Sequence, residues 1–195
     1  MGTAADGRFA EPLRRRLRAY SAEEERPLGG YTAALAAFGA YTAAWATVVR
    51  MRGRPLPDRP VPGDLALTAV ATFRLSRLLS KASVTSPLRA PFTTFHGPQG
   101  PAELHEEARS EDGRATVGEL VTCPYCVSVW VASTLTAGQL LWPRATRTAM
   151  GALAALAGAD ALQLTYSALM DRTTGEGPPS RFGGRARVAP EPDAT

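Results

Sequence analysis

The chain is poor in cysteine, histidine and lysine. Its 195 residues include two cysteines and two histidines, and Lys81 is the single lysine. Two cysteines three positions apart are too few for the disulfide framework of a small secreted domain. The formal net charge of +4 therefore rests on arginine. A basic balance can mark a nucleic-acid binder, but these arginines lie between apolar runs, as the charges that orient membrane helices do. No nucleic-acid partner is expected. The hydrophobic fraction, 45%, is ordinary for a soluble protein. What stands out is where charge is missing, because the apolar residues are gathered into a few long runs.

Residues 28–49 contain no charge and are rich in alanine. As a helix they reach about 33 Å, enough to cross a hydrocarbon core of about 30 Å. Arg50, Arg52 and Arg54 end the run, and Pro55, Pro57, Pro60 and Pro62 forbid its continuation. A second run, 65–79 within a span of about 63–80, is apolar up to Phe73 and then carries Arg74 and Arg77, with Lys81 just beyond. These three fall on one stripe of a helix. Such a helix spans with its arginines reaching one interface, or else lies flat in that interface. The third run, 120–142, is uncharged, with Tyr125 and Trp142 near its ends where amphipathic rings favour the headgroup level. The fourth, 148–170, carries one charge, Asp160.

Between the runs the chain is polar. Residues 82–95 read as an extended, turn-rich strip, because Pro87 and Pro91 disfavour helix in the residues before them. Residues 92–118 read as a polar loop, with a brief helix around 102–109. The N-terminal segment 1–27 is polar and basic, and its length argues that the run after it is retained rather than cleaved as a signal. The tail 171–195 is rich in proline and glycine and reads as disordered. The fold class is thus all-α: a membrane helical bundle over residues 28–170, of four spans, with three as the alternative.

Positive residues orient it. With four spans and a cytoplasmic N-terminus, 16 of the 22 basic residues fall inside and 6 outside. With three spans the better split is 14 to 8. Both place the loop before the third span in the cytoplasm, and with it the pair Cys123 and Cys126.

Three groups of residues carry candidate chemistry. Cys123-Pro124-Tyr125-Cys126 repeats the four letters of the glutaredoxin active site. At a helix N-terminus, unpaired N–H groups and the dipole stabilise a thiolate. A thioredoxin-like domain needs alternating strands and helices around that motif, and apolar runs stand there instead. The cysteines are the candidate catalytic pair, and with His96 and His105 they are candidate metal ligands, although the spacing fits no common zinc pattern. Asp160 is the only acid inside an apolar run, and intramembrane carboxylates are functional candidates by default. Arg74 and Arg77 are its nearest available partners. That pair holds two helices in register, or else serves a small oligomeric transporter. No cofactor is called for.

The segments Thr72-Phe73-Arg74-Leu75-Ser76-Arg77-Leu78-Leu79 and Val84-Thr85-Ser86-Pro87-Leu88-Arg89-Ala90-Pro91 are two ordered motifs. Gly118-Glu119-Leu120-Val121-Thr122-Cys123-Pro124-Tyr125-Cys126, followed by Trp130, is a third. Together they resemble the bacterial membrane-protein family called domain of unknown function 1360. The resemblance implies a small helical protein of the bacterial plasma membrane, multi-pass, without an assigned activity. The physical expectation added to it is that Arg89 or Arg77 pairs with Glu119. The functional expectation is a non-enzymatic membrane component whose partners are the bilayer, other proteins and a second copy of itself. The alternatives are a thiol oxidoreductase or metal-binding module built on the cysteines, and the transporter.

Overall fold

The computed structural model describes residues 28–100, 103–109 and 115–174. The polar segment 1–27 and the tail from residue 175 on lie outside the described residues. Helix α1, Leu28–Met51, stops where Gly53 takes φ 59° and the amides of Arg52, Gly53 and Arg54 fold back on the last carbonyls. Helix α2, Pro62–Lys81, opens with proline in its first turn and Asp64 beside it, where a missing N–H costs nothing and a carboxylate suits the dipole. A 3₁₀ turn, Ser83–Thr85, leads into the one-turn α3, Ser86–Arg89. Strands β1, Thr93–Gly100, and β2, Glu103–Ala108, form an antiparallel hairpin with two register shifts. Helices α4, Ala115–Thr122, α5, Pro124–Leu141, and α6, Pro143–Thr174, complete the chain.

The architecture is all-α apart from this hairpin, and it corrects the sequence reading in four places. The strip 82–95 is mainly helical up to Arg89, because Pro87 falls in the first turn of α3, where proline is tolerated. The loop 92–118 holds the hairpin, and the helix expected around 102–109 is strand β2. The run 120–142 is not one straight helix: it breaks at Cys123, and α4 and α5 meet at 74°. Pro124 holds the residue before it extended (φ −94°, ψ 108°), which ends α4 and starts α5. Finally, α6 begins five residues before the expected span and runs on to Thr174, four residues into the segment read as tail.

Contacts fix the direction of each helix. Tyr31, Phe38 and Tyr41 of α1 meet Glu119, Trp130 and Thr134 in ascending order, so α1 runs parallel to α5. Asp64 and Arg74 of α2 meet Arg147 and Asp160, so α2 runs parallel to α6. Only Trp142 separates α5 from α6, so the chain reverses there. The four long helices thus alternate up and down. The start of α1, the end of α2, the hairpin, the cysteines and the end of α6 share one end of the bundle.

The core lies where α2, α5 and α6 meet. Ala71, Val131, Leu135 and Met150 are buried there, with Leu67, Leu75, Leu79, Val127 and Leu153 packed around them. Near its far end Gln139 donates to Thr68 Oγ1 at 2.7 Å. The core is small, and large apolar side chains remain outside it on every long helix. Leu35 of α1 is 71% exposed and Leu162 of α6 is 72% exposed. Among the described residues, α1 is the one helix long and apolar enough by itself to cross a membrane, and the bent pair α4–α5 passes when taken together. Only 6% of the most apolar stretch of α1 is buried within the chain. Helices α2 and α6 do not pass that test: four spans is a finer statement than length and composition carry.

Candidate functional site

The end of α2 is where the family-like motifs converge. A helix leaves its last carbonyls without intrahelical partners, and here Arg89 supplies them. Its Nη1 donates to Leu79 O at 2.7 Å and its Nη2 to Ala82 O at 3.0 Å. Thr85 Oγ1 donates to Leu78 O at 2.5 Å and accepts from Arg89 Nη1 at 2.7 Å. A cation at a helix C-terminus also complements the dipole. Arg89 is only 2% exposed, so its charge needs a counter-ion. Glu106 of β2, equally enclosed, accepts from Arg89 Nε.

A second ion pair holds the same hairpin from the side. Arg77 Nε and Nη2 donate to the Glu103 carboxylate at 2.5–3.0 Å, and Arg77 lies 5.8 Å from the Phe73 ring centre. Arg109 Nε donates to Thr93 O at 3.0 Å and closes the base of the hairpin. Gly118 of α4 packs against that base, since a Cβ there would stand 2.6 Å from Phe92 O and 2.8 Å from Ala108 Cβ. Together these contacts make a cap clamped to the end of α2.

Glu119 does not join this network. Arg77 and Arg89 take Glu103 and Glu106, and Glu119 instead accepts a hydrogen bond from Tyr31 of α1. The expected Arg89–Glu119 or Arg77–Glu119 pair is therefore wrong. The hairpin the sequence hid brings two nearer carboxylates, and Glu119 ties α1 to the cap instead. Neither glutamate was singled out in the sequence. No local pattern marks them: in Glu103-Leu104-His105-Glu106-Glu107 only Leu104 is apolar, so the period of two that announces a half-buried strand is missing.

Cys123 is the N-cap of α5, and its Sγ accepts from the Cys126 amide at 3.3 Å. Both thiols are free and half-buried. Tyr125 between them is 85% exposed. The histidines stand elsewhere, on the hairpin. Their rings are 5.8 Å apart, with His96 Nε2 at 3.4 Å and His105 Nε2 at 3.7 Å from the Glu107 carboxylate. Among the described residues, no three of His, Cys, Asp and Glu converge to hold a metal ion. The cysteines and histidines are thus not brought together as a ligand set.

Asp160 does meet Arg74. Its Oδ2 lies 3.0 Å from Arg74 Nε, close but without hydrogen-bond alignment, and the two side chains are 42% and 23% exposed. Asp64 and Arg147 form a second pair near the other end of the same two helices, at 3.1 Å. Trp130 packs edge-on against Phe38, ring centres 5.1 Å apart, and at the same distance from Tyr41, fastening α1 to α5.

Comparison with known proteins agrees with these motifs. A family model described as "Protein of unknown function (DUF1360)" matches residues 67–166. The sporulation protein YjcA of Bacillus subtilis (strain 168) is 33% identical over 102 residues, which cover 48% of this chain and 84% of that protein. No solved structure matches the chain.

Proposed function

This chain belongs to the DUF1360 family, and on that premise we propose that it is a four-span, multi-pass protein of the bacterial plasma membrane. In this reading it has no catalytic activity of its own and acts by presenting the clamped cap to proteins or lipids on the cytoplasmic side. The observation that carries the reading is the uncovered apolar surface of the long helices. Large apolar side chains stand exposed on α1, α2, α5 and α6, among them Leu35, Phe73, Val129, Leu156, Leu162 and Leu164, while the buried ion pair and the hairpin collect at one end. Apolar side chains left open on every long helix call for cover by lipid or by protein.

Four further facts support it. At 1.5 Å per residue, α1, α2, α5 and α6 extend about 36, 30, 27 and 48 Å, against a hydrocarbon core of about 30 Å. Their alternating directions are those of four successive crossings. With the cap end in the cytoplasm the basic residues divide 16 to 6, as the positive-inside rule requires. Within this placement three of the four charges of α2 have ionic partners, and Lys81 stands at its cytoplasmic end: Arg74 meets Asp160, Arg77 meets Glu103, and Asp64 meets Arg147.

A second reading, a thiol-based oxidoreductase, draws on one observation, the Cys126 amide directed at Cys123 Sγ on the first turn of α5. One assay addresses both. Cys123 and Cys126 are labelled with an impermeant maleimide in intact and permeabilised cells, after alkaline carbonate extraction has shown which fraction holds the protein. The proposal expects membrane retention and labelling only after permeabilisation. Recovery in the soluble fraction, or labelling of intact cells, overturns it. Labelling that stays rapid well below the ordinary thiol pKa of about 8.5 favours the redox reading.

A further inference from the structure

Helix α6 has a face that packs against α2 and α5, and a second face that nothing described covers. Met150 and Asp160 lie on the first. The second holds Ala152, Leu156, Ala159, Gln163 and Tyr166, all exposed and spaced four, three, four and three residues apart. That spacing is the seam of a left-handed helix pair. The seam is not uniformly apolar. Gln163 lies in it, one turn from Asp160, and makes no hydrogen bond among the described residues.

The depth of these two residues matters. In the four-span placement Asp160 is 13 residues from Arg147 and 11 from Asp171, about 20 and 16 Å along the axis. Both distances put Asp160 and Gln163 near the middle of the bilayer. Polar groups at that depth face protein or water rather than lipid tails. Yet the Asp160 side chain keeps 42% of its exposure despite Arg74, and Gln163 is open. Acyl chains offer neither group a donor. A second copy does, because a carboxamide is donor and acceptor at once and so complements its own symmetry mate.

We propose that this face of α6 is the interface between two copies of the chain, related by a two-fold axis along the helix. Gln163 of each copy donates to and accepts from Gln163 of the other, and the contact screens Asp160 from lipid. Ala152 and Ala159 on this face let the backbones approach closely. The inference rests on the four-span reading and extends it by naming the protein partner within the membrane.

The test uses the full chain, reconstituted in lipid vesicles and carrying one fluorophore per copy. Energy transfer between copies is read as the protein is diluted in lipid. Wild type is expected to dimerise. Gln163→Leu should weaken the dimer about three- to thirtyfold, the range seen for interhelical hydrogen bonds in lipid. Ala159→Leu should weaken it by obstructing close approach, and Ala161→Leu, on the opposite face, should leave it unchanged. A dimer indifferent to Gln163→Leu and Ala159→Leu refutes the interface. A monomer that still inserts in vesicles refutes the inference alone, whereas a chain that does not insert overturns the four-span reading as well.

Discussion

Removing Glu106 should release the hairpin from the end of α2. Arg89 is 2% exposed and the Glu106 side chain 5% exposed, so their pairing takes place largely out of water. Glu106→Ala leaves the guanidinium enclosed with three neutral acceptors, Leu79 O, Ala82 O and Thr85 Oγ1, and no counter-ion. Breaking a buried pair on one side costs about 3–5 kcal/mol. At 1.4 kcal/mol per factor of ten, that makes local opening roughly a hundredfold to several thousandfold more frequent. Hydrogen exchange at the amides of Thr93–Gly100 and Glu103–Ala108, and of the last turn of α2, reads it directly. Glu103→Gln is the internal comparison. Its partner Arg77 is 38% exposed, so solvent screening reduces that pair to about 1 kcal/mol or less and the acceleration to tenfold or less. In a double-mutant cycle with Arg89→Ala, which itself unpairs Leu79 O and Ala82 O, the double variant should lose less than the sum of the two single losses, because the orphaned charge is gone. If Glu106→Ala exchanges no faster than Glu103→Gln, the clamp is not the buried ion pair and the account of the cap is wrong.

Two further outcomes follow from the packing. Asp160→Asn and Arg74→Gln should each destabilise the bundle in detergent, and the double variant should lose less than the sum of the two, as expected of a pair that holds α2 and α6 in register; single losses that simply add in the double variant would show that Arg74 and Asp160 are not coupled. Gly118→Ala should cost about 1–3 kcal/mol by overpacking, because its Cβ would collide with Phe92 O and Ala108, and the loss should appear as a lower midpoint of thermal unfolding; Gly29→Ala, where nothing lies within 4 Å, is the neutral comparison.

Much of the helical frame was legible in the sequence. Uncharged runs, clustered prolines and flanking arginines define helices by composition alone, and the four long helices fall close to the runs so marked. That Asp160 would meet Arg74 or Arg77 was legible too, since an isolated acid in an apolar run needs one of very few cations; which of the two it meets was not. The cap was not. A two-stranded hairpin of eight and six residues has weak local preference, and its strand β2 carries three glutamates that a reader assigns to solvent. What makes Glu103 and Glu106 structural is the position of Arg77 and Arg89, which only the tertiary fold sets.

The lysine- and cysteine-poor, arginine-punctuated sequence therefore determined where the helices are and which end carries positive charge, because both follow from residues close together in the chain. Only the tertiary structure decided which acid meets which arginine, that Cys123 bends the third run at 74° rather than lying within it, and that the histidines face Glu107 rather than the cysteines. Ion pairs and bends depend on distances between segments far apart in sequence, and no local pattern encodes those distances.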